Sequence, residues 1–328
     1  MITIMKESIT SEDRVPRTVG QEKQLKRLLE DGWPKAYALL LKKFNPDKDG
    51  MDRLLGKGDE IVNAMTDAIL EKAREFTVVD RYADEEVESS YRYPDEYKGP
   101  WPIKEQIMKL AKMIFRLDPK PALEFADKIL PTFTLPADAE GWFATLSPSA
   151  LEKLFPQVTD LGERYCTAVL IVLERIAASR QFYNYRKGQI TEHHLRQHAH
   201  TVSAIAKIAE VQKGDILIIP AQLGLRHRGR SVRRAHVCFA NGEFGLRSLD
   251  MGCIALTHPE RFVRFEELDT DCLGDEFAPE ADGVFSLSPF FRWSGGGLRF
   301  GADVVDVADG GFGSASGFPP QYPCTSKS

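Results

Sequence analysis

The spacing of apolar residues changes near Gln212, and this change limits the fold more than any other feature of the sequence. Before it, apolar residues recur every three to four positions, which is the period of an amphipathic helix. After it, apolar runs are short and broken by glycine, and 16 of the 25 glycines lie beyond residue 200. Such a pattern is typical of short strands joined by tight turns. The sequence therefore predicts an α+β fold, with a helical N-terminal region packed on a glycine-rich, mainly antiparallel β module.

This change of pattern divides the chain into four predicted segments. Residues 1–15 are predicted to be disordered, residues 16–211 to form the helical region, residues 212–322 the β-rich module, and residues 323–328 a flexible tail. At 328 residues the chain is long enough for two domains. No long linker separates the two regions, so a single continuous globule is equally compatible with the sequence.

Four stretches of the first region have helical patterns. One begins at Asp59, and another covers Ile103 to Leu117 and is ended by Pro119. Residues 160–182 are apolar on all sides, as expected for a buried central helix. Thr191 is predicted to cap the fourth helix. The apolar faces of the first and fourth helices are formed by Ile61, Met65, Ile69 and Phe76, and by Leu195, Val202, Ile205 and Ile208.

Strand patterns dominate the second region. Residues 216–220 form an apolar run closed by proline. Asn241-Gly242 predicts a hairpin between strands at Val232–Ala240 and Glu243–Leu249, because both central residues of a type I′ turn need a positive φ. The remaining predicted strands are Cys253–Thr257, Val284–Trp293 and Leu298–Val305.

Composition excludes several classes of protein. The longest apolar runs, such as Ala168–Leu173, are far shorter than the roughly 18 to 20 residues of a membrane helix. The N-terminus lacks the apolar stretch and cleavage pattern of a secretory signal. Five cysteines with no C-x-x-C spacing argue against a disulfide framework and against a zinc ribbon. The sequence thus predicts a cytoplasmic protein that does not associate with membranes and whose thiols are reduced.

The net charge of −5 hides an uneven distribution. Between Arg180 and His236, eleven Lys and Arg residues stand against three acidic residues, a local net charge of +8. Between Glu266 and Asp309, two Arg residues stand against eleven acidic residues, a local net charge of −9. The two segments could neutralise each other or offer separate charged surfaces to partners.

The densest basic segment is RHRGRSVRR, with five arginines in nine residues. The guanidinium fork suits phosphate oxygens, and clustered arginines release counterions from a nucleic-acid backbone. The segment contains no aromatic residue that could stack on bases, and the alternative interpretation is ion pairing with acidic residues of the same chain. The residues predicted to contact the phosphate groups of RNA or DNA are Arg226, Arg228, Arg230, Ser231, Arg233 and Arg234.

The acidic segment that begins at Asp269 partly fits a calcium-binding loop, but apolar residues occupy two of the ligand positions. The sequence predicts no cofactor as such, but a divalent cation is compatible with it, with Asp271, Asp275 and Glu276 as ligands. An alternative function is an enzyme whose arginines orient a small anionic substrate while these carboxylates supply acid–base chemistry or hold a metal. A second alternative is a structural protein that forms homo-oligomers through its charged surfaces.

Histidine and cysteine residues supply further candidates. His194 and His198 would share one face of the predicted fourth helix and could hold a zinc ion, although an exposed histidine-rich face fits the same pattern. Four more residues could meet across strands, as a metal site or as a nucleophile with its base. These are His236, Cys238, Cys253 and His258.

The stretches PAQLGLRHRGRSVRRA, NGEFGL, LTHPERF, DCLGDEFAPEADGVFS and GSASGFPPQ follow one another in this order. Together they resemble an uncharacterised protein family of small-genome, candidate-phylum bacteria. The resemblance covers residues 165–321 and leaves out the helical region before Asp138. It implies a bacterial protein, and it implies no particular activity, ligand or fold.

Overall fold

The computed structural model describes residues 19–58, 61, 62, 65, 69, 81–265 and 267–320. The chain divides into two compact units, Met1–Leu70 and Glu71–Ser328. The first unit contains helices α1 (Val19–Phe44) and α2 (Lys48–Leu55). Asp47 caps α2, and its Oδ1 accepts a hydrogen bond from the Gly50 N–H at 2.7 Å. The helix predicted to begin at Asp59 lies largely outside the described residues.

The second unit combines helices and strands. Its helices are α3 (Ile103–Met113), α4 (Lys120–Lys128), α5 (Pro148–Leu154), α6 (Leu161–Ser179), α7 (Ala199–Val211), α8 (Val232–Val237) and α9 (Ser248–Thr257), with 3₁₀ turns at Leu130–Thr132, Leu225–His227 and Pro259–Arg261. Its strands are β1 (Gly141–Leu146), β2 (Phe182–Asn184), β3 (Leu195–Gln197), β4 (Ile216–Gln222), β5 (Phe244–Gly245), β6 (Asp269–Asp271), β7 (Asp275–Phe277), β8 (Leu287–Ser294), β9 (Gly297–Val304), β10 (Phe312–Ser314) and β11 (Ser316–Gly317). The predicted α+β class is confirmed.

The smaller sheet has the strand order β1-β4-β11-β5, and all its neighbouring strands are antiparallel. The pairing of β1 with β4 runs from Gly141 opposite Ala221 to Leu146 opposite Ile216. Every residue of β4 is buried, as expected for an apolar strand that is covered on both faces. Because β1 precedes residue 211 and β4 follows it, both regions distinguished in the sequence contribute to this sheet.

The larger sheet is centred on β8, which pairs in antiparallel fashion with β6, β7 and β9. Strands β10 and β2 extend it through parallel pairing with β6 and β9, and β3 pairs with β7. The β8–β9 hairpin turns at Gly295 and Gly296, whose φ angles of 59° and 81° fit a type I′ turn. This hairpin shapes the surface that is described below.

Helix α6 lies in the core, as its apolar composition predicts. Asp160 caps it by accepting a hydrogen bond from the Glu163 N–H at 2.8 Å. Helix α9 packs against α6, and Gly252 permits this close approach, because a Cβ there would lie 2.5 Å from Val172 Cγ1. Helix α3 ends at Met113 rather than at Leu117 as predicted, because Ile114 is already extended, and Pro119 instead precedes the first residue of α4. Among the described residues, no helix is both long and apolar enough to cross a membrane.

The prediction of a β-hairpin around Asn241-Gly242 is wrong. Its first strand is helix α8, because Ser231 caps this segment and its Oγ accepts a hydrogen bond from the Arg234 N–H at 3.1 Å. Its second strand is reduced to the short strand β5. A turn is present, with Gly242 at a φ of 77°, but Asn241 does not have a positive φ, so the turn is not of type I′, and it joins a helix to a strand.

Two further local predictions are wrong. The strand predicted at Cys253–Thr257 is instead part of helix α9. The prediction failed because a short helix that is buried on every side has the same uninterrupted apolar sequence as a buried strand. The helix predicted to begin at Thr191 begins at Ala199, because His198 is its N-cap and Leu195 belongs to β3. The strands predicted within residues 216–220, 284–293 and 298–305 correspond to β4, β8 and β9 and are confirmed.

Candidate nucleic-acid interface

The predicted arginine cluster lies between β4 and the end of α8, and two of its members bind the buried carboxylate of Glu85. Ser231 Oγ donates to Glu85 Oε2 at 2.6 Å, and Arg233 Nε donates to the same oxygen at 2.7 Å. Arg233 also lies 4.3 Å from the centroid of the Tyr82 ring and 3.9 Å from Asp306. Burial opposes the ionisation of Glu85, but the hydrogen bonds from Arg233 and Ser231 outweigh it and hold the pKa of this carboxyl below its usual value.

Glu86 binds two other members of the cluster. Arg234 Nε donates to Glu86 Oε1, and Arg230 Nε lies 3.4 Å from the same oxygen. The backbones of Glu86 and Arg230 also form an antiparallel bridge, which brings these side chains together. Burial disfavours the charged form of Glu86, but the two guanidinium groups hold its pKa below the usual value. One carboxylate is therefore shared by two arginines.

Arg226 and Arg228 complete the cluster. Arg226 Nη1 lies 2.8 Å from Asp138, and its Nε lies 3.2 Å from Glu243. Arg228 donates to the Tyr91 carbonyl at 3.1 Å, and no carboxylate of the described residues forms an ion pair with it. Four of the five arginines thus have a carboxylate partner within the chain.

These partners come from unexpected parts of the sequence. Of the ion-pair partners given above, Asp306 is the one that belongs to the acidic stretch between Glu266 and Asp309. The other partner carboxylates lie outside that stretch, on Glu85, Glu86, Asp138 and Glu243. The long basic and acidic stretches therefore do not neutralise each other as wholes.

The three predicted acidic ligands lie in different places. Asp275 is in the core, where the Tyr165 hydroxyl donates to its Oδ2 at 2.6 Å and burial raises its pKa to about 6. Glu276 lies 2.8 Å from Arg196, and Asp271 lies at a separate cavity. In the described ranges, no three His, Cys, Asp or Glu side chains are arranged to hold a metal ion. These three carboxylates therefore do not form one metal site.

Asp271 lines a cavity of about 90 Å³ together with Arg230, a member of the arginine cluster. The exposed carboxylates of Asp303 and Asp309 lie at the same cavity. Only 6% of Asp271 is exposed, and burial together with the charge of neighbouring Asp269 raises its pKa well above the usual value. Burial also raises the pKa of Asp269 to about 7. The fold thus brings one predicted arginine and one predicted carboxylate to a shared cavity.

The predicted histidine and cysteine sites depended on a helix beginning at Thr191 and on strands at Val232–Ala240 and Cys253–Thr257, and the structure contains none of these three elements. His194 precedes β3, with its Nδ1 2.7 Å from the Ala278 carbonyl, whereas His198 caps α7, so they do not share a helix face. His198 stacks instead on His236, with ring centroids 4.8 Å apart, and burial lowers the pKa of His236 to about 3. His236 and Cys253 both lie in helices, which rules out the predicted meeting across strands.

Sequence reasoning missed a second basic segment, RQFYNYRK at residues 180–187, which contains β2. Tyr183 lies in β2 and Tyr185 in the turn that follows it, and the two residues are 41% and 57% exposed. The Arg299 guanidinium on β9 lies 5.8 Å from the first ring centroid and 5.3 Å from the second. Tyr183, Tyr185, Lys187 and Arg299 are called the basic-aromatic surface below.

Glycines of the β8–β9 hairpin shape the basic-aromatic surface. Parallel pairing of β2 with β9 places Tyr183 opposite Arg299. A Cβ on Gly295 would lie 2.3 Å from Arg299 Nη2, and a Cβ on Gly297 would lie 3.0 Å from Tyr183 Cε2. Arg299 Nε donates to the Ser294 carbonyl at 2.9 Å, which holds the guanidinium at the turn. The positive charge and the rings are therefore fixed relative to each other.

The basic-aromatic surface differs from the arginine cluster in its charge balance. Within the described part of the chain, no carboxylate forms an ion pair with Arg299 or Lys187. The tyrosines at alternate positions could have been recognised as one face of a strand. The sequence gives no sign that Arg299 joins them, because only the pairing of β2 with β9 brings it close.

The chain was compared with models of known protein families, with curated proteins and with solved structures. None of these comparisons finds a match. The resemblance to a family of candidate-phylum bacteria stays a prediction, and functional inference rests on geometry and charge.

Proposed function

We propose that the protein binds single-stranded nucleic acid through the basic-aromatic surface. The observation that carries this proposal is a pair of exposed tyrosine rings beside a guanidinium that has no carboxylate partner among the described residues. Tyrosine rings stack on bases of any sequence, and arginine attracts the phosphate backbone. The two ring centroids lie 5.8 and 5.3 Å from the Arg299 guanidinium, so neighbouring unpaired bases could stack on them beside this positive charge.

An unpaired strand fits this surface better than a duplex does. Bases inside a duplex are stacked on one another and must leave that stack before they can meet a side-chain ring. Sheet surfaces with exposed aromatic residues bind single-stranded RNA in this way in other proteins. We therefore expect affinity for oligo(U) and oligo(dT) that depends strongly on salt and weakly on sequence.

The arginine cluster has a smaller part in this proposal. Arg226, Arg230, Arg233 and Arg234 would each have to give up a carboxylate contact before binding phosphate, which offsets much of the gain. Arg228 has no such partner among the described residues. It is therefore the member of the cluster best placed to add a phosphate contact.

Fluorescence anisotropy with labelled oligo(U) and oligo(dT) at low salt tests the proposal. Tyr183→Ala and Tyr185→Ala should each weaken binding about tenfold, since a stacked base contributes roughly 1–3 kcal/mol. Arg299→Gln should weaken binding and reduce the salt dependence by about one phosphate contact. Tyr37→Ala removes an exposed ring of the first unit and is the matched control. Undetectable binding by the wild-type protein, or unchanged binding when both tyrosines are replaced, would refute the proposal.

The Asp271 cavity favours a second candidate function, an enzyme that acts on a small anionic substrate. Burial raises the pKa of the Asp271 carboxyl and so favours its protonated form, which can donate a proton, and the exposed carboxyl groups of Asp303 and Asp309 lie at the same cavity. Arg230 lines the same cavity and could orient the anion.

Titration calorimetry with inorganic phosphate tests this second candidate. We expect weak binding by the wild-type protein that Arg230→Gln abolishes, and a changed pH dependence in Asp271→Asn. Equal heats for the wild-type protein and both variants would contradict it. Homo-oligomer formation remains a prediction, and light scattering at low and high salt tests it. Binding of a divalent cation also remains a prediction, and elemental analysis of the purified protein tests it.

A further inference from the structure

Helix α7 forms one wall of a mostly apolar groove that encloses about 340 Å³. Ala204, Ile208 and Val211 are spaced four and three residues apart, so they share the face of α7 that lines this groove. Pro319 and Pro320 line it as well. The volume lies within the range of small-molecule sites, which are concave and mostly apolar.

Packing around Phe244 and Gly242 shapes the rest of the groove. Phe244 lines it and is otherwise completely buried. Gly242 has a φ of 77°, and a Cβ there would lie 2.9 Å from Pro319 Cγ. A larger residue at this position would push the proline away from its place in the groove. The cavity is thus formed by close packing of the α8–β5 turn against residues near the end of the described chain.

Lys207 gives this apolar groove a positive charge. It lies on the same face of α7, is exposed, and forms no ion pair with a carboxylate of the described residues. None of the described residues that line the groove is acidic. His200 and Ser203 add polar atoms to the lining. The groove therefore combines an apolar lining with a single ammonium group.

We propose that the groove binds an aliphatic carboxylate of medium chain length, with its hydrocarbon chain on the apolar lining and its carboxylate beside Lys207. Hydrocarbon burial supplies most of the affinity, and the ammonium group selects the carboxylate over other head groups. A sugar or a nucleotide fits less well, because its hydroxyl groups would lie against Ala204 and Ile208 without hydrogen-bond partners. This site lies apart from the basic-aromatic surface and does not depend on nucleic-acid binding.

Titration calorimetry of the full chain with decanoate tests the proposal, with decanol and decylamine as ligands of equal length. We expect decanoate to bind about three- to fivefold more tightly than decanol, since an exposed ion pair contributes at most about 1 kcal/mol, and decylamine to bind most weakly because Lys207 repels it. Lys207→Met should lower decanoate affinity by the same factor of about three to five and leave decanol affinity unchanged. Lys213→Met removes an exposed lysine outside the groove lining and is the matched control.

A second variant tests the position of the hydrocarbon chain. Ala204→Phe places a ring in the groove and should abolish the binding of both decanoate and decanol. Lys207 is exposed, so the Lys207→Met variant should fold. It therefore tests the role of the ammonium group even if Ala204→Phe fails to fold.

Two results would overturn the proposal. The first is a wild-type protein that does not bind decanoate, and the second is equal decanoate affinity of the wild-type protein and Lys207→Met. Oligonucleotide binding is measured separately and should be unchanged in Lys207→Met, so failure of one proposal can be told from failure of the other.

Discussion

Replacing Asp250 by alanine should destabilise the protein by about 3–5 kcal/mol, because it leaves a buried arginine without its counter-ion. Arg247 and Asp250 are 3% and 1% exposed. Arg247 Nε donates to Asp250 Oδ2 at 2.9 Å, and Nη2 donates to Oδ1 at 2.8 Å, so the pair is bidentate. Burial opposes the charge on Arg247, but Asp250 outweighs this effect and holds the pKa of the guanidinium above its usual value.

Two more donors depend on the same carboxylate. The Thr145 hydroxyl donates to Asp250 Oδ1 at 2.6 Å, and the Arg247 backbone N–H donates to Oδ2 at 3.0 Å. A buried donor left without a partner costs roughly 1–3 kcal/mol, although such costs do not add fully within one network. The loss in Asp250→Ala should therefore lie in the upper part of the range, and Asp250→Asn, which keeps one acceptor oxygen, should lose less.

Urea denaturation followed by circular dichroism measures these free energies of unfolding. The double variant Arg247→Met/Asp250→Ala should be more stable than Asp250→Ala alone, because it contains no unpaired buried charge. Lys128→Ala breaks an exposed pair with Glu124 at 3.9 Å and should cost less than about 1 kcal/mol. The reasoning fails if Asp250→Ala loses less than about 1 kcal/mol, or if the double variant loses the sum of the two single losses.

Three other perturbations have outcomes that follow from the structure. Asp269 has a folded-state pKa of about 7, so between about pH 4 and that value the folded protein keeps a proton that the unfolded chain releases. Stability should fall as pH rises through this window, and Asp269→Asn should flatten the change in urea midpoint. Gly295→Ala should cost about 1–2 kcal/mol in urea denaturation and weaken oligonucleotide binding, because its φ is 59° and the new Cβ displaces Arg299. Ser231→Ala should cost roughly 1–2 kcal/mol in the same assay, because it removes a helix cap and a hydrogen bond to Glu85.

Elements with local signals could be predicted from the sequence. Asp160 marks the start of the buried helix α6, because a cap acts within one turn. Pro119 did not mark the end of α3, which stops at Met113. Helix α9 could not be predicted, since a short helix buried on all sides has no polar face to reveal its period. A turn at Asn241-Gly242 was predictable, but its type and the helix that precedes it were not.

The candidate site could be predicted only in part, because its contacts join distant parts of the chain. Composition identifies the arginine cluster, yet Glu85 and Glu86, which bind most of it, stand far upstream. Tyr183 and Tyr185 form a recognisable alternating pair, whereas Arg299 reaches them only through the pairing of β2 with β9. Such contacts leave no local pattern in a single sequence.

The pairing of β1 with β4 makes the two halves of the second unit dependent on each other during folding. A fragment that ends at residue 211 would hold β1 without its partner, and a fragment that begins at residue 212 would expose β4, whose seven residues are all buried in the intact chain. Unpaired apolar strands associate with one another, so each fragment produced alone should aggregate. When the two fragments are produced together, pairing of β1 with β4 should restore their solubility. A chimera made by exchanging segments with another protein should keep this fold only if β1 and β4 come from the same parent.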